Sequence, residues 1–223
     1  YYLSPLEKKS FRFEVLAKTN SANYQGTELN INWSNRNTFR GAELLSISIF
    51  GGYEVQISGQ NNGYNVYRIG TEANLIWPRM ISPIRFKMSN RFTPKTKATL
   101  GYEFQDRQQL YRLQTFKALF GYNWKENARR EHTLNIGEVI FARPQNVTQL
   151  YLDEVKLNPS LGKVIERQLI FGPTYSYTYS NTAQRRKKNT IYYKGTIDLS
   201  AAVTGLIAGA NIDKRDMLKV FGV

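Results

Sequence analysis

The sequence predicts an all-β protein whose antiparallel strands are those of a transmembrane β-barrel, and three observations carry that expectation. Apolar and polar residues alternate with a period of two along most of the chain, as they do in strands with two unlike faces. Many of the alternating runs reach about nine residues, against a globular mode of about five or six. Aromatic residues make up 13% of the chain, 15 of them Tyr, and they gather near the ends of the runs. Amphipathic rings suit the headgroup layer at those positions.

Taken in order, the runs amount to about nine strands. "SFRFEVLAK" sets Phe11, Phe13, Val15 and Ala17 against Arg12, Glu14 and Lys18. "TELNINW" sets Leu29, Ile31 and Trp33 against Glu28, Asn30 and Asn32. Across "AELLSISIF" and "GYEVQIS", Leu45, Ile47, Ile49, Tyr53, Val55 and Ile57 oppose Ser46, Ser48, Glu54 and Gln56. "RIGTEANLIW" opposes Ile69, Ala73, Leu75 and Trp77 to Arg68, Gly70, Glu72 and Asn74. "TLGYEF" opposes Leu100, Tyr102 and Phe104 to Gly101 and Glu103. "RLQTFKALFGYNW" groups Phe116, Ala118, Phe120, Tyr122 and Trp124 against Lys117, Gly121 and Asn123. "HTLNIGEVIFA" breaks phase near Glu138. Phe171, Tyr175, Tyr177 and Tyr179 then alternate with Gly172, Thr174, Ser176 and Thr178. Finally Ile191, Tyr193, Ile197, Leu199, Ala201 and Val203 oppose Lys194, Thr196, Asp198 and Ser200.

The links between runs are rich in Gly, Asn, Pro and charge, which is turn chemistry. In "WPRMISPI", Pro78 and Pro83 cannot both sit in a central ladder, so pairing loosens there. The long link 143–165 holds the one helical candidate, over 148–157. The "NVT" triplet at 146–148 is read as chance.

Composition narrows the function classes. Lys and Arg number 31 against 17 acidic residues, a net charge of +14 that points to an anionic partner. The absence of cysteine excludes disulfides and Cys-ligated metal. No apolar run approaches the roughly 20 residues of a spanning helix. "YYLSPLEKK" lacks the apolar stretch of a signal peptide. His132 is the only histidine and has no motif serine or cysteine beside it, so it is assigned to a turn. Without a phosphate loop, a zincin motif or a metal-ligand cluster, neither an enzyme nor a cofactor is expected. Lys117, Glu103, Arg68 and Glu72 are expected to face a lumen and to pair with one another across strands. Arg185 to Lys188 form a charge run that is read as a solvated turn.

A family resemblance rests on "LNINWSNRNTFRGAELLSISIFGGYEVQ", residues 29–56. It resembles the second and third barrel strands of the BamA/TamA family of outer-membrane assembly proteins (surface antigen type), nearest to the TamL-like branch of Bacteroidota. In that family a periplasmic turn of the type N-x-F-x-G-A/G-E joins those strands. Here Asn35, Asn37, Phe39, Arg40, Gly41, Ala42 and Glu43 carry it. "GTEANLIWPRMISP" looks like the family's fourth strand and "YYKGTIDLSAAV" like its ninth. The family's barrel has roughly sixteen strands, a late R-G-F loop motif and preceding POTRA domains. The R-G-F motif does not occur here. The resemblance implies that 1–9 is a linker from periplasmic domains, 10–203 the N-terminal part of a barrel, and 204–223 the start of an outer loop.

The resemblance further implies outer-membrane localisation and a role in inserting other barrels. The first strand offers its edge at a lateral seam, and a client strand adds to it by backbone hydrogen bonds, which is β-augmentation. That gate strand is Ser10, Phe11, Arg12, Phe13, Glu14, Val15, Leu16, Ala17 and Lys18. Expected partners are the outer-membrane bilayer with its lipopolysaccharide, unfolded outer-membrane protein clients and a TamB-like periplasmic protein. Two other classes stay open. A passive porin or transporter barrel shares the alternation, and a soluble sandwich would turn the same apolar face inward. A soluble basic protein that binds nucleic acid would interleave aromatics with Lys and Arg on one face. Here they take opposite parity, so nucleic acid is not an expected partner.

Overall fold

The computed structural model describes residues 7–19, 24–56, 65–82, 92–181 and 190–199. They form nine strands: β1 (Lys9–Thr19), β2 (Tyr24–Asn35), β3 (Leu44–Gln56), β4 (Val66–Trp77), β5 (Lys95–Arg107), β6 (Tyr111–Lys125), β7 (Arg130–Gln145), β8 (Gln168–Ser180) and β9 (Tyr192–Asp198). Every strand pairs antiparallel with its neighbours in sequence, so one sheet runs β1 to β9 as a meander. Among the described residues the sheet is open, with β1 and β9 at its edges. Two elements interrupt the β7–β8 link: α1 (Gln149–Leu157) and a 3₁₀ helix over Pro159–Ile165.

The register puts the alternating residues into two continuous faces. Phe13, Ile31, Ile49 and Thr71 lie in one row, and Glu14, Asn30, Phe50 and Gly70 in the next, on the opposite side. The polar side is the more crowded one. Thr99 is 3% exposed on it, while its neighbour Leu100 is 65% exposed on the apolar side. Side chains crowd inside a curved sheet and splay outside it, so the sheet curls toward its polar face. Phe50 is an aromatic in the middle of that concave face. It fits because it lies over Gly70, where an added Cβ would come within 2.4 Å of its ring. The phase break in β7 is a bulge: pairing skips from Asn135 to Glu138 against β8, leaving Ile136 and Gly137 outside the ladder.

The one hydrophobic core cluster among the described residues lies at the β7–β8 connection. Leu110, Tyr111 and Tyr151 form a small core, supported by Leu113, Val147, Val155, Leu161 and Ile165. Thr148 starts the helix that supplies Tyr151. Its hydroxyl donates to the carbonyl of Gln109 at 2.7 Å and accepts from the backbone N–H of Tyr151 at 3.4 Å. The Thr of the "NVT" triplet is therefore an N-cap. Tyr151 meets Tyr111 edge-on at 4.9 Å, and its hydroxyl reaches the carbonyl of Leu161 at 3.2 Å.

Strand β4 ends at Trp77, immediately before Pro78, as the prolines require. The chain then folds back, held where Thr96 accepts from the N–H of Ile81 and Tyr122 donates to the carbonyl of Ile81. Two sequence readings need correction. His132 is not a turn residue but the third residue of β7, directly opposite Trp124, because the turn before it occupies only Glu126 to Arg129. Arg68, Glu72, Glu103 and Lys117 share the concave side, yet the pairs seen are Arg68 with Glu28 and Glu54, and Lys117 with Glu138. Neighbouring strands place other carboxylates nearer to each cation. The run Arg185 to Lys188, Ile57, and residues 1–6 and 200–223 lie outside the described residues.

Candidate functional site

Strand β1, which holds the residues expected to form a gate, is the least buried strand of the sheet: all of its residues are exposed. Phe11, Phe13, Val15 and Ala17 project from the apolar face, while Ser10, Arg12, Glu14, Leu16 and Lys18 project from the polar one. Leu16 is thus an apolar residue on the concave side. One edge of β1 pairs with β2 over its full length, from Lys9 opposite Asn35 to Thr19 opposite Gln25. The other edge has no strand partner among the described residues. Backbone groups along such an edge can template a further strand.

The turn between β2 and β3 is organised by one carboxylate. Glu43 is 3% exposed, and its Oε2 accepts from the backbone N–H groups of Gly41 at 2.9 Å and Phe39 at 3.3 Å. Gly41 is required for that approach, since a Cβ there would stand 2.2 Å from Glu43 Oε1. Asn35, the last residue of β2, accepts from the N–H of Asn37 at 3.2 Å. Asn37 in turn accepts from the N–H of Ala42 at 3.1 Å. Arg40 and Ala42 adopt left-handed backbone angles, φ 64° and 60°, which these hydrogen bonds offset. Phe39 remains exposed. Backbone N–H donation from Glu43 itself, and then from Gly41 and Phe39, holds the Glu43 carboxyl below its ordinary value; the charge of Arg79 acts the same way.

This turn and the base of β1 are joined, a contact the sequence did not disclose. The N–H of Arg36 donates to the carbonyl of Lys8 at 2.7 Å, and its guanidinium reaches the carbonyl of Glu7 at 3.3 Å. At the far end of β1 a second tie forms on the concave face. Lys18 pairs with Glu28 on β2. Glu28 Oε2 also receives Arg68 Nη2 from β4 at 3.2 Å, and the same nitrogen reaches Glu54 Oε1 on β3 at 3.0 Å. Four strands are linked through one guanidinium, across the bare position of Gly52 that separates Glu28 from Arg68 in the row. The sequence signal was there, since all four residues lie on the polar parity, but only the register says which meet.

His132 belongs to an aromatic group at the same end of the sheet as the Glu43 turn. Its ring stacks on Trp124 at 5.1 Å with 6° between planes, and its Nδ1 is 2.8 Å from the Tyr175 hydroxyl. Tyr177 stands 5.3 Å away. Trp33 and Trp77 lie on the same face and at the same end. The described residues hold no group of three His, Cys, Asp or Glu side chains able to bind a metal. What the arrangement offers is a strand edge and two unlike faces. No family model matches the chain, and no curated protein or solved structure matches it either.

Proposed function

We propose that this sheet is the N-terminal part of a transmembrane β-barrel of the BamA/TamA type, and that β1 offers its edge to client strands during outer-membrane protein assembly. One observation carries the membrane half of the proposal: the convex face is apolar and, apart from Thr96 and Tyr122 beneath the fold-back at 79–82, has no second layer over it among the described residues, while the concave face is ionic. In water, an apolar face of this extent would be buried under a second layer. Lipid solvates such a face on the outside of a barrel, and water the polar face within. Strand length supports the same reading. Twelve residues, as in β2 and β4, reach about 40 Å, and a tilt of about 45° leaves roughly 28 Å across the hydrocarbon.

The assembly half rests on the likeness of the 35–43 turn to the family's and on the exposed edge of β1. The first test is extraction: a chain recovered from cells without detergent sinks every membrane reading. The second is capture. The chain has no cysteine, so Glu14→Cys provides a single thiol on β1. It should form disulfides with a cysteine in the terminal strand of a nascent barrel, and Ala98→Cys on β5 should not. Equal capture at both positions, or capture at neither, refutes the gate. Depletion completes the set, because loss of an assembly factor lowers the surface levels of other barrels and loss of a porin leaves them unchanged.

A further inference from the structure

The two ends of the convex face differ in chemistry, and the difference points to a ligand. At the end that carries the 35–43 turn, the outward positions hold Trp33, Trp77, Trp124, His132, Tyr175 and Tyr177. At the other end, across β5, β6 and β7, the rows change from apolar to basic within two steps of the pleat. Tyr102, Phe116 and Phe141 form one row, with ring centroids 4.8 and 6.5 Å apart. The next row out is Phe104, Gln114 and Arg143, and the last is Asp106, Arg112 and Gln145.

We propose that Arg112 and Arg143, with the amides of Gln114 and Gln145, form a docking site on the convex face for the phosphate of a membrane lipid. The proposal rests on the lipid-facing reading of that face. Arg112 donates through Nε to Asp106 Oδ2 at 3.0 Å, which fixes the guanidinium and leaves its terminal nitrogens for another acceptor. Arg143 is exposed and pairs with no acidic side chain among the described residues. Each arginine sits diagonal to the other across the β6–β7 ladder. Diagonal neighbours are about 7–8 Å apart, a gap that two long side chains close around one phosphate. Gln145 Nε2 lies 3.5 Å from Gln114 Oε1, so the amides stand together between the two cations. Guanidinium groups bind phosphate oxygens in pairs of parallel hydrogen bonds, and two of them together favour a phosphate of net negative charge over one whose charge a choline already neutralises. The acyl chains of such a lipid would run down over Phe104, Tyr102, Phe116 and Leu100. A free anion has nothing to lay on that apolar row, and this selects the lipid as the source of the phosphate.

The test uses the full chain in vesicles of equal parts phosphatidylcholine and phosphatidic acid, released gently and weighed with its retained lipids by native mass spectrometry. The wild type should retain phosphatidic acid preferentially. The double variant Arg112→Gln/Arg143→Gln should lose that preference by about tenfold, while Lys117→Gln on the concave face should keep it. Inorganic phosphate in the buffer should not displace the lipid. A wild type that retains both lipids equally overturns the site, as does a double variant with unchanged preference. Displacement by inorganic phosphate overturns the lipid assignment. A chain that does not enter vesicles at all removes the lipid-facing reading together with the site, and that failure is distinct from entry without headgroup preference.

Discussion

The sheet and the β7–β8 connection use the same kinds of residue to opposite ends. In the connection, Tyr151 is 4% exposed beneath Tyr111 and Leu110, and burial pushes its phenol up. On the sheet, Phe13 is 57% exposed although it alternates as regularly as any core strand residue. The connection folds as a soluble protein folds, by hiding apolar surface from water under other protein. The sheet turns its polar groups inward instead and leaves the apolar ones outside. An apolar face is thus a statement about what solvates it, and alternation alone does not say which medium that is.

Substitutions can break this comparison from either side. The largest local loss should come from Tyr151→Ala, about 3–5 kcal/mol as for other buried aromatics. Hydrogen exchange and proteolysis over 146–167 should rise sharply, with membrane insertion unaffected. Leu100→Arg should do the reverse, costing about 2–4 kcal/mol in a bilayer and next to nothing in water. Urea unfolding from vesicles reads the difference, and an unchanged midpoint places this face in water.

Smaller effects sharpen the contrast within the sheet. Glu28→Ala leaves Arg68 and Lys18 without their shared carboxylate and should cost about 1–3 kcal/mol. It should also loosen the Thr19 end of β1, seen as faster amide exchange there than at Ser10. Glu43 makes the Ser10 end sensitive to acid. Its folded value is held below the ordinary 4.5, so the turn's stabilisation is complete above that pH and is lost as pH falls through the lowered value. Glu43→Gln should remove most of this dependence, and a turn that melts at the same pH in the variant would assign it to another group. The smallest effect expected is that of His132→Ala, about 1 kcal/mol from the lost stack on Trp124. A change in indole emission is its readout.

Particular elements show how far the residues themselves could be read. The nine ribbons, their two faces and the helix after Thr148 were legible because each depends on neighbours a few positions away. The 35–43 turn was legible as a motif, but its centre on Glu43 was not, since a carboxylate capturing backbone N–H groups has no periodicity. His132 was misplaced because the length of the preceding turn was unknown. One residue more or less would have moved it off Trp124. The ionic tie through Arg68 was half-seen: the right face, the wrong partners.

The sequence by itself determined which side of every ribbon is apolar, because a period of two is written locally and each strand obeys it alone. Only the tertiary structure decided that the described residues leave most of that side uncovered, that Lys18, Glu28, Glu54 and Arg68 converge, and that the turn clasps the base of β1. Those outcomes depend on register and curvature, which arise when distant segments pair.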